Sequence, residues 1–149
     1  MAQAHPLSQT TLQVKRTFGA SRERVFRAWT DAEELSHWFF PSPDYTVVIA
    51  LLDLRVGGKY QLEMHHKDSG NIHRLEGIYR EVKPPQKLVF TWQWESGPEA
   101  SETLVTVEFH DLGPSTEIVL THEHLPNLEE RDKHSHGWTG CLDQLTKIF

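Results

Sequence analysis

Only one cysteine, Cys141, occurs among the 149 residues. A lone cysteine cannot form an internal disulfide, and because Cys141 falls on the apolar side of a predicted helix we expect a small buried side chain. Its isolation fits a reducing, cytoplasmic location. Runs of Lys and Arg are also missing, and the net charge is -6. Because phosphate binding needs clustered basic residues, this composition argues against a nucleic-acid partner.

Long apolar stretches are absent too. No window approaches the length that spans a bilayer, and residues 1–10 lack the apolar core of a signal peptide. The hydrophobic fraction of 38% and the charged fraction of 24% are typical of a globular chain. We therefore expect residues 1–10 to form a flexible N-terminal tail and residues 11–149 to form a single domain.

The segment from Asn127 to Phe149 carries the clearest helical pattern. Its apolar residues recur at helical spacing and are Trp138, Cys141, Leu142, Leu145, Ile148 and Phe149. Upstream, the same face continues with the polar residues Arg131, His134 and Ser135. Glu129 and Glu130 are interpreted as first-turn residues that favour the positive end of the helix dipole. The pattern predicts one long helix whose second half enters a core and whose first half covers something else.

The middle of the chain has a different period. From Tyr45 to Leu125 apolar residues alternate with polar ones, which predicts about six strands joined by short turns, one of them at Ser96–Pro98. The alternation leaves open which faces of 45–52 and 72–82 point inward.

The N-terminal part of the predicted domain has three further elements. A strand is predicted over 12–18, and a short helix follows from about Arg22 to Trp29. Asp31 opens a second short helix with Leu35, Trp38 and Phe39 on its buried side. This order of elements predicts an α+β fold in which a long helix covers one face of an antiparallel sheet.

Several local stretches carry a resemblance to a known family. They are residues 21–30, 35–39, 52–60, 77–82, 87–92 and His136-Gly137-Trp138 with Leu142 and Leu145. Together they resemble the START-like (SRPBCC, birch-pollen-allergen) superfamily, and within it the branch named after the activator of the heat-shock-protein-90 ATPase. The resemblance covers about Thr11 to Phe149.

This resemblance implies a helix-grip fold, in which a curved antiparallel sheet wraps around the long C-terminal helix and two short helices follow the first strand. A cavity is then expected between the sheet and the helix. Members bind lipids, polyketides, hormones or other apolar molecules, and some are cyclases or aromatases. The eukaryotic chaperone activators carry a further domain for which this chain has no room, which argues against a chaperone partner.

Eleven residues are candidates for lining that cavity. The apolar candidates are Trp38, Phe39, Tyr60, Met64, Trp92, Trp94 and Trp138, and the competing interpretation is that they fill the core. The polar candidates are His122, His124, Arg131 and His134, which could hydrogen-bond a carboxylate or carbonyl of a ligand. Since no metal-ligand spacing occurs, we expect no metal and no cofactor.

Gly137 lies inside the predicted helix, where glycine costs about 1 kcal/mol relative to alanine. It either leaves space for a ligand beside Trp138 or allows close packing of helix and sheet.

Three functions compete at this stage. The leading one is an intracellular domain that binds an apolar or aromatic small molecule. The second is a cyclase- or hydratase-type enzyme with His122, His134 or Tyr60 as acid or base. The third is a protein-interaction domain with an exposed apolar patch around Trp92 and Trp94. The sequence leaves a homodimer open.

Overall fold

The computed structural model describes residues 10–95 and 101–149. The predicted tail, apart from Thr10, and the predicted turn at Ser96–Pro98 lie outside the described residues. The elements are β1 Leu12–Phe18, α1 Arg22–Thr30, α2 Ala32–Leu35, β2 Tyr45–Leu52, β3 Lys59–His66, β4 Ile72–Lys83, β5 Lys87–Trp94, β6 Thr103–Asp111, β7 Thr116–Glu123 and α3 Leu128–Thr146. The predicted order of elements and the α+β class are confirmed.

The seven strands of the described residues form one antiparallel sheet in the order β1-β7-β6-β5-β4-β3-β2, so β1 and β2 are its edges. The register shifts between Ile49 and Leu51 in β2 and between Tyr79 and Glu81 in β4. Such bulges bend a strand and increase its twist, which helps a sheet to curl around a helix. The predicted helix-grip fold is confirmed.

Strand pairing settles the facing that the sequence left open. In β2, Val47 lies opposite Met64 and is buried, whereas Val48 is 47% exposed. In β4, Leu75 and Tyr79 are buried. Gly77 is buried on the same face, whereas Glu76 and Ile78 are exposed. Both strands therefore present one apolar face to the core.

Each helix starts at a capping side chain that the sequence provides. The side chain of Asn127 accepts a hydrogen bond of 2.9 Å from the backbone N–H of Glu130 at the start of α3. Ser21 and Asp31 cap α1 and α2 in the same way. None of the helices in the described part of the chain has the length and apolar character of a membrane-spanning segment.

The second short helix ends earlier than the pattern predicts. It stops at Leu35, so Trp38 lies in the turn after it and Phe39 in the irregular segment that follows. Trp38 is nevertheless fully buried, because its indole N–H donates to the carbonyl of Ala28 at 2.9 Å and its ring meets that of Trp29 edge-on. The packing of the two tryptophans therefore holds this segment against α1.

The two glycines of α3 differ in how closely their surroundings pack against them. A Cβ added at Gly140 would fall inside contact distance of the Pro41 carbonyl oxygen, so helix and loop pack closely there. A Cβ added at Gly137 would meet nothing within 4 Å. Of the two explanations considered for Gly137, close packing is therefore wrong, and it applies to Gly140 instead.

This difference predicts stability changes of opposite sign. Gly140→Ala should lower the free energy of unfolding by about 1–3 kcal/mol, because backbone must move to admit the methyl group. Gly137→Ala should raise it by up to about 1 kcal/mol, because alanine favours the helix and finds open space. Urea denaturation of both variants checks the pair, and equal effects would contradict the assignment of the close contact.

Candidate functional site

A cavity of about 400 Å³ lies between the first half of α3 and the inner face of the sheet, partly open to solvent. Its apolar wall is formed by Tyr45, Met64, Trp92, Trp94 and Trp138. Glu130, Lys133, His134 and His136 supply polar side chains from α3. The remaining lining residues are Pro41, Ser42, Gly137 and Cys141. The polar first half of the helix stripe thus covers a cavity, while the second half enters the core.

Trp92 is at the centre of the aromatic wall. Its ring lies 4.9 Å from that of Trp138 and 5.7 Å from that of Trp94, measured between ring centroids. Trp92 is only 5% exposed. Consequently the exposed patch expected around Trp92 and Trp94 is not formed, since Trp94 turns to the cavity.

His122 lies behind this wall and joins α3 to the sheet. Its Nδ1 accepts a hydrogen bond of 3.1 Å from the indole N–H of Trp138. Its Nε2 lies 2.7 Å from the hydroxyl oxygen of Thr103, and that hydroxyl donates to the carbonyl of Trp92. Because the threonine proton is used, the Nε2–H of His122 must be the donor in their contact. The network therefore selects the neutral imidazole with its proton on Nε2.

His134 has the complementary arrangement on the cavity wall. Its Nδ1 lies 2.7 Å from the carbonyl of Glu130, to which only an N–H can donate. Its Nε2 then accepts from the indole N–H of Trp94 at 3.0 Å. Both ring nitrogens are occupied, and the neutral imidazole with its proton on Nδ1 satisfies both partners.

The acid and base roles considered for Tyr60, His122 and His134 find no support in this geometry. The hydroxyl of Tyr60 donates to the carbonyl of Thr91, and burial, with the neighbouring Tyr79, raises its pKa well above the ordinary value. Burial and then His134 lower the pKa of His122 well below the usual 6.5. Burial therefore favours the neutral forms of Tyr60 and His122, and both ring nitrogens of His134 are already hydrogen-bonded.

Five of the eleven predicted residues line the cavity and six do not. The five are Met64, Trp92, Trp94, His134 and Trp138. Trp38 is packed in the core, and Phe39 and Tyr60 border a separate gap of about 30 Å³. The last three are His122, which is fully buried behind the wall, His124, which is exposed, and Arg131, which pairs with Asp132 at 3.1 Å. The expected group for binding a carboxylate is therefore not assembled.

Several wall residues were missed by the sequence reasoning, above all Glu130. This residue was assigned to the helix dipole, yet it is 3% exposed and lies on the cavity. A signal did exist, because Glu130, His134 and Trp138 are four residues apart and share one helix face. Tyr45 and Ser42 had no such signal, since they depend on how the loop before β2 folds.

Two polar atoms of cavity residues have no hydrogen-bond partner among the described residues. They are Oε1 of Glu130 and Nε1 of Trp92, both buried. The other carboxylate oxygen of Glu130 meets Lys133 at 3.3 Å. In the described ranges, 10–95 and 101–149, no cluster of three or more His, Cys, Asp or Glu side chains could hold a metal ion.

The depressed pKa of His122 predicts acid-sensitive stability. Below about pH 6.5 the unfolded chain binds a proton at this position that the folded chain does not, so the free energy of unfolding should fall as pH is lowered. One such group contributes a slope of up to about 1.4 kcal/mol per pH unit.

Chemical denaturation between pH 7 and pH 5 measures that slope. His122→Gln should be less stable at pH 7 and should lose this part of the slope. His124→Gln, at an exposed position just beyond β7, is the matched control and should keep it. Identical slopes in wild type and His122→Gln would contradict the assignment.

The sequence is similar to that of a known protein family. A family model described as Activator of Hsp90 ATPase homolog 1-like protein matches residues 19–149. The human activator of 90 kDa heat shock protein ATPase homolog 1 is 28% identical over 127 residues, which cover 85% of this chain and 33% of that protein. A Dictyostelium discoideum homolog is 24% identical over 115 residues, covering 73% of this chain and 30% of the relative. The chain thus spans about a third of these curated relatives.

Solved structures agree on the fold. A Chromobacterium violaceum protein has a TM-score of 0.88 at 26% identity, covering 95% of this chain and 97% of the other. An HSP90 activator from Plasmodium falciparum has a TM-score of 0.70 at 26% identity, covering 93% and 95% of the two chains. Since the family model matches nearly the whole chain, the protein belongs to the Activator of Hsp90 ATPase homolog 1-like family.

Proposed function

We propose that the chain binds an apolar or aromatic small molecule in the cavity between the sheet and the first half of α3. The observation that carries this proposal is the cavity itself, with its volume of about 400 Å³ and its wall of tryptophan, tyrosine and methionine. Ligand sites of proteins are mostly apolar cavities of this size with a few placed polar groups. Burial of the ligand's apolar surface would supply most of the affinity.

Gly137 is evidence that the cavity is a ligand site and not a defect in packing. Glycine destabilises the interior of a helix, and an unfilled volume adds a further cost. Three residues along the same helix, Gly140 packs against Pro41 with no spare space. The chain therefore packs α3 tightly at one glycine and leaves room at the other, which favours sequestration or transport of a ligand at the open end.

Filling the space beside Gly137 should abolish binding. Native mass spectrometry of the purified protein and a thermal-shift screen of fatty acids, sterols, aromatic acids and phenols would identify a ligand. At about a hundred times its dissociation constant, a ligand adds roughly 2.7 kcal/mol of stability. Gly137→Leu should remove that shift, because the isobutyl group would occupy the cavity.

Gly137→Ala is the matched control, since a methyl group leaves most of the volume free. A ligand that stabilises Gly137→Leu as strongly as wild type would place the binding elsewhere. A screen without any bound mass or shift would count against the small-molecule function.

A second candidate function is action on Hsp90. It is favoured by the 28% identity with the human activator over 85% of this chain and by the similarity to the Plasmodium falciparum activator. Large apolar side chains with more than two fifths of their surface exposed include Val48 and Leu51 on the edge strand β2. An exposed apolar edge is a feature of protein-interaction surfaces.

Adding the purified chain to purified Hsp90 and measuring ATP hydrolysis tests this candidate. If the chain acts as an activator, hydrolysis should rise with its concentration, and Val48→Lys should weaken the effect. A rate that stays at the level of Hsp90 alone would contradict it. Gly137→Leu should leave this activity intact, which separates the two functions.

A further inference from the structure

Several polar atoms of the cavity residues are already paired within the protein. The indole N–H of Trp94 donates to His134, and that of Trp138 donates to His122 behind the wall. The ring nitrogens of His134 are both occupied, as described above. Two buried polar atoms of the lining residues have no hydrogen-bond partner in the described ranges, namely an acceptor on Glu130 and a donor on Trp92.

Glu130 is the more informative of the two atoms. Its side chain is 4% exposed, and its Oε2 already meets Lys133, whose own side chain is 58% exposed. Oε1 has no partner among the described residues. A buried carboxylate oxygen without a hydrogen bond is costly for a folded protein, so a position like this one calls for a donor.

The chemistry of the missing partner follows from this inventory. A ligand carboxylate has no proton to donate and would bring a second negative charge next to Glu130. An ammonium group donates but cannot accept from Trp92, and Lys133 already balances the charge of Glu130. A hydroxyl group donates to a carboxylate oxygen without adding charge, and its own oxygen can still accept a hydrogen bond.

We propose that Glu130 is the specificity-determining residue of the cavity and that the ligand is an aromatic molecule carrying a neutral hydroxyl group. The aromatic body would pack among Trp92, Trp94 and Trp138, with the hydroxyl directed to Oε1 of Glu130. This inference rests on the proposed small-molecule function and narrows it to one ligand class.

Four probes that share one two-ring body test the inference by isothermal titration calorimetry. They are 2-naphthol, 2-methylnaphthalene, 2-naphthoate and 2-(aminomethyl)naphthalene. With wild-type protein, 2-naphthol should bind about tenfold or more tighter than 2-methylnaphthalene, because hydrogen bonds to ionised groups are the stronger ones. The naphthoate should bind more weakly than both, and the amine should not exceed 2-naphthol.

Variants at Glu130 assign the preference to this residue. Glu130→Met keeps a similar side-chain volume but has no oxygen. It should bind 2-naphthol and 2-methylnaphthalene with about equal affinity. Glu129→Gln is the matched control, since it removes a neighbouring carboxylate that also meets Lys133 but does not line the cavity, and it should bind like wild type. Circular dichroism verifies folding.

If the methionine variant does not fold, Glu130→Gln replaces it. The glutamine variant should lower the preference for 2-naphthol over 2-methylnaphthalene about threefold, because its amide oxygen is uncharged.

Each result separates the two proposals. If none of the four probes binds to wild type, this inference fails, and the small-molecule function is then decided by the wider ligand screen with Gly137→Leu. If the probes bind with equal affinity, or if the naphthoate or the amine binds tightest, the cavity function stands and the inference is overturned. A preference for 2-naphthol that survives in Glu130→Met also overturns it, because another residue would then recognise the hydroxyl.

Discussion

The hydrogen bond between Trp138 and His122 is the constraint on which the arrangement of sheet and helix depends. Through His122 and Thr103 it connects α3 to β7, β6 and the carbonyl of Trp92 on β5. All members are buried, so each lost partner would leave a polar atom without compensation. Because the chain of bonds fixes Trp138 against the sheet, it also fixes where packed core ends and cavity begins. The aromatic wall, the open space at Gly137 and the isolated oxygen of Glu130 all lie around this boundary.

Much of the fold could be predicted from local patterns in the sequence. The stripe from Trp138 to Leu145 predicts the buried half of α3, and the capping residues Ser21, Asp31 and Asn127 mark where helices begin. These features depend on neighbours within a few residues, so alternation and helical spacing are enough to find them. The position of Trp38 was harder to predict, because it depends on a tertiary hydrogen bond to Ala28 and not on helix periodicity.

The residues of the candidate site could be predicted only in part, for a related reason. A sequence shows which face a residue occupies but not whether the space before it is filled, so Tyr60 and Trp92 looked alike although only Trp92 reaches the cavity. The histidines looked available as ligand anchors because tautomers and partners are set by contacts between distant segments. Glu130 was overlooked since an acidic residue in a first helical turn already has an ordinary explanation. Burial of its side chain is a property of the assembled fold.

The most direct measurement of the central claim is a two-dimensional NMR titration that follows the five tryptophan indole N–H signals as 2-naphthol is added. The cavity account predicts that the signals of Trp92, Trp94 and Trp138 shift together and saturate at one equivalent. The signal of Trp38, whose N–H is bonded to Ala28 in the core, should stay in place. Five unmoved signals, or a uniform drift of all five without saturation, would contradict the claim that the space between α3 and the sheet is a ligand site.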